Sequence, residues 1–453
     1  MKVESVSLRG CIIKCVNGTG SIARKMSKYI DKNSHETKEE TMAQTKTKRE
    51  EYMPKMEVIE NELARVENLD DFFGKEGVFA RLFSKTIEAM LEGELSEQLG
   101  YSKYESKGRN SGNSRNGTRP VKINSSTGSQ EISVPRDRKG EFKPVLLEEK
   151  RTNELEEKIT VMYAKGTSTR DIADAVKEVY GCEVSESTIS TITDKVWPLV
   201  EEWQRRPLEE IYPIIYLDAL HIKIRREGKI ESVAVYVVLA LDTEGHKDVL
   251  GHWVGDGGEG ANFWLSVVTD LQTRGVKDVF IACVDGLQGF ADAIQAIFPQ
   301  TIVQRCVVHQ IRNSLKYVTS TDRKEFLDSL KTVYKAPTRE EAETNLLLVA
   351  EQWGDKYPAA IRSWENNWAE LSTFFDYPAE MRRIIYTTNT IEGYNRQLRK
   401  VIKNKAVFPT DKSVRKLLYL AHTDIAKKWT MPIPNWAKIR NQLAIRFESR
   451  YPL

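Results

Sequence analysis

The chain has 453 residues, 40% of them hydrophobic, so it can fill a sizeable core and should divide into about two to four domains. Its net charge of +3 hides an asymmetry: from Gly393 to the C-terminus 14 Lys and Arg face 3 Asp and Glu, giving this tail +11 and the rest of the chain −8. No apolar run reaches the roughly 18–20 residues of a membrane helix, and five cysteines, odd in number with three of them scattered, do not read as a disulfide framework. A cytoplasmic protein with a polyanionic partner, nucleic acid first, is the expectation. The plainer reading of the tail is a solvated basic helical face.

Residues 1–41 are polar and aperiodic, and Met42 opens MAQTKTKREE. They read as an over-extended reading frame or a disordered arm. Residues 42–100 read as an N-terminal helical region, with helices over 58–66 and 72–99. In the second, Phe79, Leu82, Phe83, Ile87, Met90, Leu91 and Leu95 recur at three- and four-residue steps, and Gly100 closes it. Residues 101–150 hold a Gly/Asn/Ser/Arg-rich basic loop with Arg109, Arg115 and Arg119, then two short strands over 121–135.

Residues 151–200 predict a helix-turn-helix DNA-binding domain. Leu155 to Ala164 makes its first helix. Ser168 or Thr169 caps the second, with Ile172, Ala173, Val176 and Val179 facing inward. Ser185 starts the third, which buries Ile189, Ile192 and Val196 and ends at Trp197-Pro198. That third helix exposes Ser187, Thr188, Thr191 and Lys195, short polar groups suited to base edges and phosphates. Three-helix units of this kind also occur without DNA binding.

Residues 205–320 read as the catalytic core. Three strands, over 211–228, 231–242 and 247–255, are followed by alternating helices and strands, in the order β-β-β-α-β-α-β-α. Gly255 to Gly260 is a flexible turn rather than a phosphate loop, since it lacks GKS/T. Residues 321–385 are helical in pattern and rich in Trp. Residues 386–453 open on a helix over 387–405, capped by Thr388 or Asn389, and run into the basic tail.

Three acids stand out by context. Asp218 interrupts the apolar run IIYLDALHI, where a lone charge is costly. Asp285 ends the buried run VFIACV and is followed at once by Gly286, the position at which open α/β sheets place ligand chemistry. In a mixed sheet of this order the first and fourth strands are neighbours, so both carboxylates can meet, and Glu392 on a helix beside them can supply a third. Three hard oxygen donors suit Mg²⁺ or Mn²⁺, and two such ions can serve a phosphodiester displacement. Taken singly, each acid reads equally well as a cap or an ion-pair partner.

Asp218 in YLDALHIKIR, Asp285 in CVDGLQGF, Cys306 and His309 in QRCVVHQIRN, and Glu392 in TTNTIEGYNRQLRK resemble the signatures of the mutator-type transposases of bacterial insertion sequences. LEGELSEQLGY, SRNGTR and VPRDRKGEF are similar as well, so the resemblance covers nearly all of the chain from about Met42. It implies a DDE transposase: a ribonuclease H-like α/β fold with an all-helical insertion in the 107 residues between Asp285 and Glu392, preceded by a mainly helical DNA-binding region. Asp218, Asp285 and Glu392 would be catalytic and would hold two Mg²⁺ or Mn²⁺ ions. DNA, as terminal inverted repeats and target, would be the partner of a homodimer or larger assembly.

The resemblance also places Cys306 and His309 near the active site, where His309 could contact the scissile phosphate or a carboxylate. From the residues alone the pair is a buried Cys and a His orienting the sheet edge, two ligands being too few for structural zinc. Trp364, with Trp368 four residues on, could stack a flipped base, or pack the helical insertion. Arg396, Arg399, Lys400 and Lys403 follow Glu392 as candidate DNA contacts. A ribonuclease H-like nuclease that does not join ends, and a catalytically silent DNA-binding regulator, remain as alternatives.

Overall fold

The computed structural model describes residues 56–73, 77–105, 112–125, 128–147, 152–257, 260–286 and 289–451. The chain divides into two compact units, Met1–Leu155 with Tyr180–Glu183, and Glu156–Val179 with Val184–Leu453. Residues 1–41 and Arg109 lie outside the described residues. Among the described residues no helix is long and apolar enough to cross a membrane.

In the first unit, helices α1 (Met56–Leu63) and α2 (Leu69–Phe73) precede a long α3 (Val78–Leu99). The helix expected over 72–99 is therefore two, and α3 starts at Val78. Gly100 closes α3 as expected: it adopts φ 76°, and its N–H donates to the Ser96 carbonyl. The hairpin is longer than the sequence suggested, with β1 (Arg115–Ser125) antiparallel to β2 (Gly128–Asp137). Leu91 of α3 packs with Ile123, Ile132 and Val134 of the hairpin. Arg115 secures the same joint: its guanidinium donates to Glu92 at 2.8 Å and to Ser96 Oγ at 2.7 Å.

The second unit holds most of α4 (Asn153–Ala164), α5 (Thr169–Tyr180) up to Val179, and all of α6 (Glu186–Asp194). The Ser168 hydroxyl accepts from the Asp171 N–H and the Ser185 hydroxyl from the Thr188 N–H, as expected of caps. Ile172, Val176, Ile189, Ile192 and Val196 are buried, whereas Val179 is 66% exposed in the last turn of α5. The third helix does end before Trp197-Pro198, its last residue being Asp194. The pair then opens α7 (Trp197–Arg205), whose first turn accepts proline because that N–H has no partner inside a helix.

Five strands form one mixed sheet in the order β5-β4-β3-β6-β7: β3 (Ile211–Arg226), β4 (Lys229–Leu241), β5 (Lys247–Val254), β6 (Asp278–Val284) and β7 (Ile302–Arg305). The first three are antiparallel, and β6 and β7 add in parallel. The helices α8 (Ala261–Thr273), α9 (Phe290–Ile297) and α10 (Val307–Ser314) alternate with them, so the β-β-β-α-β-α-β-α order is as read. Pro213 sits near the start of β3, outside the paired positions, where its missing N–H costs no ladder bond.

One face of the sheet packs Ile215, Leu217, Ala219, Tyr236 and Ala282 against Trp264 and Val267 of α8 and Phe290 and Ile294 of α9. The helices α11 (Arg323–Tyr334), α12 (Arg339–Trp353), α13 (Pro358–Asn366), α14 (Trp368–Leu371) and α15 (Ala379–Ile385) follow, all-helical as expected. The chain closes with α16 (Asn389–Ile402), α17 (Asp411–Ala426) and α18 (Trp436–Arg446). The first helices of this unit lean on its last ones. Gly166 meets α16, where its φ of +89° and a Cβ position only 2.1 Å from the Val401 carbonyl oxygen admit no side chain. Lys412 and Lys416 of α17 both pair with Asp194.

Candidate active site

Alternate residues of a strand point to opposite faces. Since Leu217 and Ala219 join the core under α8 and α9, Asp218 faces the other side of the sheet together with Tyr216. That side is roofed by the C-terminal half of the chain. The Tyr216 hydroxyl donates to the Ile384 carbonyl at 3.0 Å, and the Cys283 thiol lies 3.5 Å from the Ile385 carbonyl.

The parallel pairing of β3 and β6 sets Tyr216 opposite Cys283. Two residues further along β3 comes Asp218, on the roofed face; Asp285 directly follows the last residue of β6, near enough for its charge to act on Asp218. In the other direction Asp218 lies opposite Val237, and Val237 opposite His252. One row therefore crosses the antiparallel strands: Asp218, Val237, His252.

Helix α16 lies over this row. Asn395, fully buried, donates its Nδ2–H to Asp218 Oδ2 at 2.7 Å, and the Ala219 N–H donates to Asp218 Oδ1 at 2.8 Å. Both oxygens of a carboxylate only 7% exposed are thus engaged. Burial pushes the Asp218 carboxyl above the usual carboxylate range; Asn395 opposes this, and the charge of Asp285 adds to it. Asn395 Oδ1 is buried beside that carboxylate with no donor of its own.

Glu392 sits one turn before Asn395, at the i−3 position on the same side of α16. Its carboxylate accepts from Arg312 at 3.0 and 3.4 Å and lies 3.4 Å from His309 Nε2. His309 and Arg312, three residues apart on α10, approach it together. The Cys306 thiol beside the His309 ring raises the histidine above its ordinary value; burial opposes the shift, and Asp285 and Asp218 add to it. Burial pushes the Cys306 thiol up, but His309 and the Thr388 hydroxyl outweigh it and leave the thiol lowered. Thr388, expected to cap α16, makes no cap hydrogen bond and instead donates to Cys306 Sγ at 3.4 Å.

The structure thus brings Asp285 within reach of the Asp218 charge, and Cys306, His309 and Glu392 into one adjoining cluster. Among the described residues no three His, Cys, Asp or Glu side chains are close enough to share a metal ion, Glu392 being engaged by Arg312. The two aspartates still fit a cation by their chemistry. A buried carboxylate raised partly by its neighbour's charge is relieved by positive charge placed between the two. Sequence reading missed Asn395, Arg312 and the turn of Thr388 towards Cys306. The i, i+3 spacings Glu392–Asn395 and His309–Arg312 were the available signals.

The expected DNA contacts divide by environment. Arg396, Arg399 and Lys400 line the exposed side of α16, Lys403 caps its end, and none of the four forms an ion pair among the described residues. Ser187 and Thr191 are exposed on α6, Thr188 is half-buried, and Lys195 pairs with Glu156 at 2.7 Å. Arg119 is exposed, and Arg115 is committed to α3 as described. Trp364 requires a correction: its ring is fully enclosed and its Nε1–H donates to Ser314 Oγ at 2.9 Å. Neither face is open to a base. Trp364 instead fastens the helical insertion to α10, helped by Gln310 donating to Ser363 at 2.8 Å.

Residues 55–432 match the sequence model of a family described as Transposase, Mutator family. The chain belongs to this family. It is 41% identical over 384 residues to a probable transposase for an ISRM3-like insertion sequence element of Sinorhizobium fredii, covering 84% of this chain and 95% of that protein. The transposase for insertion sequence element ISRM3 of Rhizobium meliloti gives the same identity and coverage. The transposase for IS256 in transposon Tn4001 of Staphylococcus aureus is 27% identical over 371 residues, covering 80% of this chain and 94% of that protein. The roofed face of the sheet is therefore the interior of a Mutator-family transposase.

Proposed function

We propose that Asp218, Asp285 and Glu392 form the acidic centre of a ribonuclease H-like DDE transposase that cleaves the ends of its insertion sequence and joins them to target DNA. The observation that carries this is that Asp218, buried in β3 beneath the helix that bears Glu392, feels the charge of Asp285, which directly follows the neighbouring parallel strand β6. Divalent ions held by these carboxylates would acidify the attacking oxygen and stabilise the leaving one.

The chain's own groups set the geometry. Asn395 and the Ala219 N–H hold Asp218 so that its oxygens cannot rotate away. His309, drawn towards its charged form, and Arg312 place positive charge where a scissile phosphate approaches. In the first step a water oxygen bonds to phosphorus, its proton leaves, and the bond to the 3′-oxygen breaks, freeing a 3′-hydroxyl. In the second, that hydroxyl bonds to a target phosphorus and releases the target's own 3′-oxygen. Phosphodiester bonds are exchanged without an oxidant or a covalent enzyme intermediate.

Arg396, Arg399, Lys400 and Lys403 on α16, with the exposed side of α6, supply the DNA contacts in this reading. Because two ends must be joined, a dimer or larger assembly acts. The test is strand transfer of a labelled element-end duplex into plasmid with Mg²⁺ or Mn²⁺. Wild type joins the end, whereas Asp218→Asn, Asp285→Asn and Glu392→Gln bind it and leave it unjoined. Joining by any of the three at the wild-type rate removes that residue from the centre.

A further inference from the structure

The strand that carries Asp218 continues well past it. β6 pairs with β3 only as far as Tyr216, and β5 reaches β4 only from Val235 onwards. Beyond these points Leu220–Arg226 and Lys229–Val235 run on as a two-stranded ribbon.

The ribbon is held rigidly. Phe408, just after α16, exchanges backbone hydrogen bonds with Lys223 and Arg225, each 2.8 Å. Arg226 closes a two-pronged pair with Asp411 at 3.1 and 2.9 Å and also donates to the Gly255 carbonyl. Its inner face is apolar and buried, with Ile222, Ile224 and Val233.

The outer face is different. It presents His221, Lys223 and Arg225 at every second residue, all exposed. Their cross-strand neighbours are Ala234, Ser232 and Ile230, so this face of the ladder carries no acid. Glu231 stands opposite Ile224, on the inner side. None of the three basic residues forms an ion pair among the described residues. Rigid, unpaired cations in line, without a counter-charge, cost repulsion unless an anion meets them.

The geometry points to this ribbon as a second DNA-binding surface, one that grips the phosphate backbone of duplex DNA through Lys223 and Arg225. Two strands about 4.8 Å apart fit a major groove about 12 Å wide. From His221 to Arg225 the strand advances about 13 Å, close to the rise of four base pairs. The surface begins three residues beyond Asp218, so bound DNA would run past the reaction centre. The inference rests on DNA as the partner and not on the roles of the acids.

The experiment is DNA binding by the full-length protein in chelator, so that catalysis plays no part. Affinity for an element-end duplex and for an unrelated duplex is followed between about 50 and 200 mM salt. Lys223→Ala/Arg225→Ala should lower the salt slope by about 2 and weaken both duplexes equally, roughly tenfold. Lys324→Ala/Lys335→Ala, an exposed pair on and just after α11, should leave the slope as in wild type. An unchanged slope in the ribbon variant, or an equal fall in the control pair, overturns the assignment. Circular dichroism of both variants should match wild type, since all four side chains are exposed. Loss of strand transfer in Asp218→Asn with normal binding is a separate result and bears only on the acids.

Discussion

The row that crosses the antiparallel strands ends in Asp218 on one side and in an imidazole on the other, and the protein treats the two ends oppositely. At the acid end the buried Asp218 carboxylate is given two donors, from Asn395 and Ala219, and a second carboxylate alongside. At the other end His252 is enclosed by Trp203 at 5.1 Å and His422 at 6.1 Å, and its Nε2 shares a 2.8 Å hydrogen bond with the Tyr394 hydroxyl. Burial, then His422 and Arg206, push His252 well below its ordinary value; burial, then Arg206, bring His422 down to about 3. A buried group given donors to its charge is kept as a tool, while one ringed by aromatics is kept neutral as filling. Tyr394 and Asn395 are adjacent on α16, so one helix serves both ends.

The largest contrast should come from Asp218→Asn. Strand transfer should fall well beyond the roughly 10–100-fold that supporting residues cost, while thermal stability stays equal or rises, because a repelled buried carboxylate is gone. A large fall in melting temperature would move Asp218 to the structural end of the comparison. Trp364→Ala should cost about 3–5 kcal/mol in denaturant unfolding, since a fully enclosed ring is lost from the brace under α10. A loss below about 1 kcal/mol would mean that the helical insertion holds α10 without it.

Asn395→Leu removes the donor at nearly constant volume. Turnover should drop about 10–100-fold with end binding unchanged; a wild-type rate would show that the Ala219 N–H alone holds Asp218. The two ends should also answer pH with opposite sign. Between about 6.5 and 3 the unfolded chain binds a proton that the folded His422 refuses, so stability is lost as pH falls through that window, roughly 2 kcal/mol by pH 5. His422→Phe should flatten that loss. Asp218, raised in the fold, works the other way: stability it contributes on the acid side is lost as pH rises from the ordinary carboxylate value to the raised one. Smallest, Tyr394→Phe should cost about 1 kcal/mol of stability and leave strand transfer nearly intact, the reverse of its neighbour Asn395.

Much of this was legible in the chain itself. The unbroken apolar runs of β4 and β6 announced buried strands, Gly100 announced a helix end, and a lone Asp within IIYLDALHI announced a charge needing a reason. Local periodicity and the cost of burying charge act over a few residues, so those features appear in any short window. Which side of α16 meets the sheet was not legible. Asn395 reaches Asp218 across 177 residues and Thr388 reaches Cys306 across 82, and no local pattern records such partners. Trp364 shows the same limit: two tryptophans one turn apart favour core packing over a stacking platform without excluding the second, and only the closure of α13 on α10 decided between them. The sequence determined the elements and the suspect acids, because propensity and burial cost are local. Tertiary structure alone decided which side chains hold those acids, because hydrogen-bond partners are chosen by packing between distant segments.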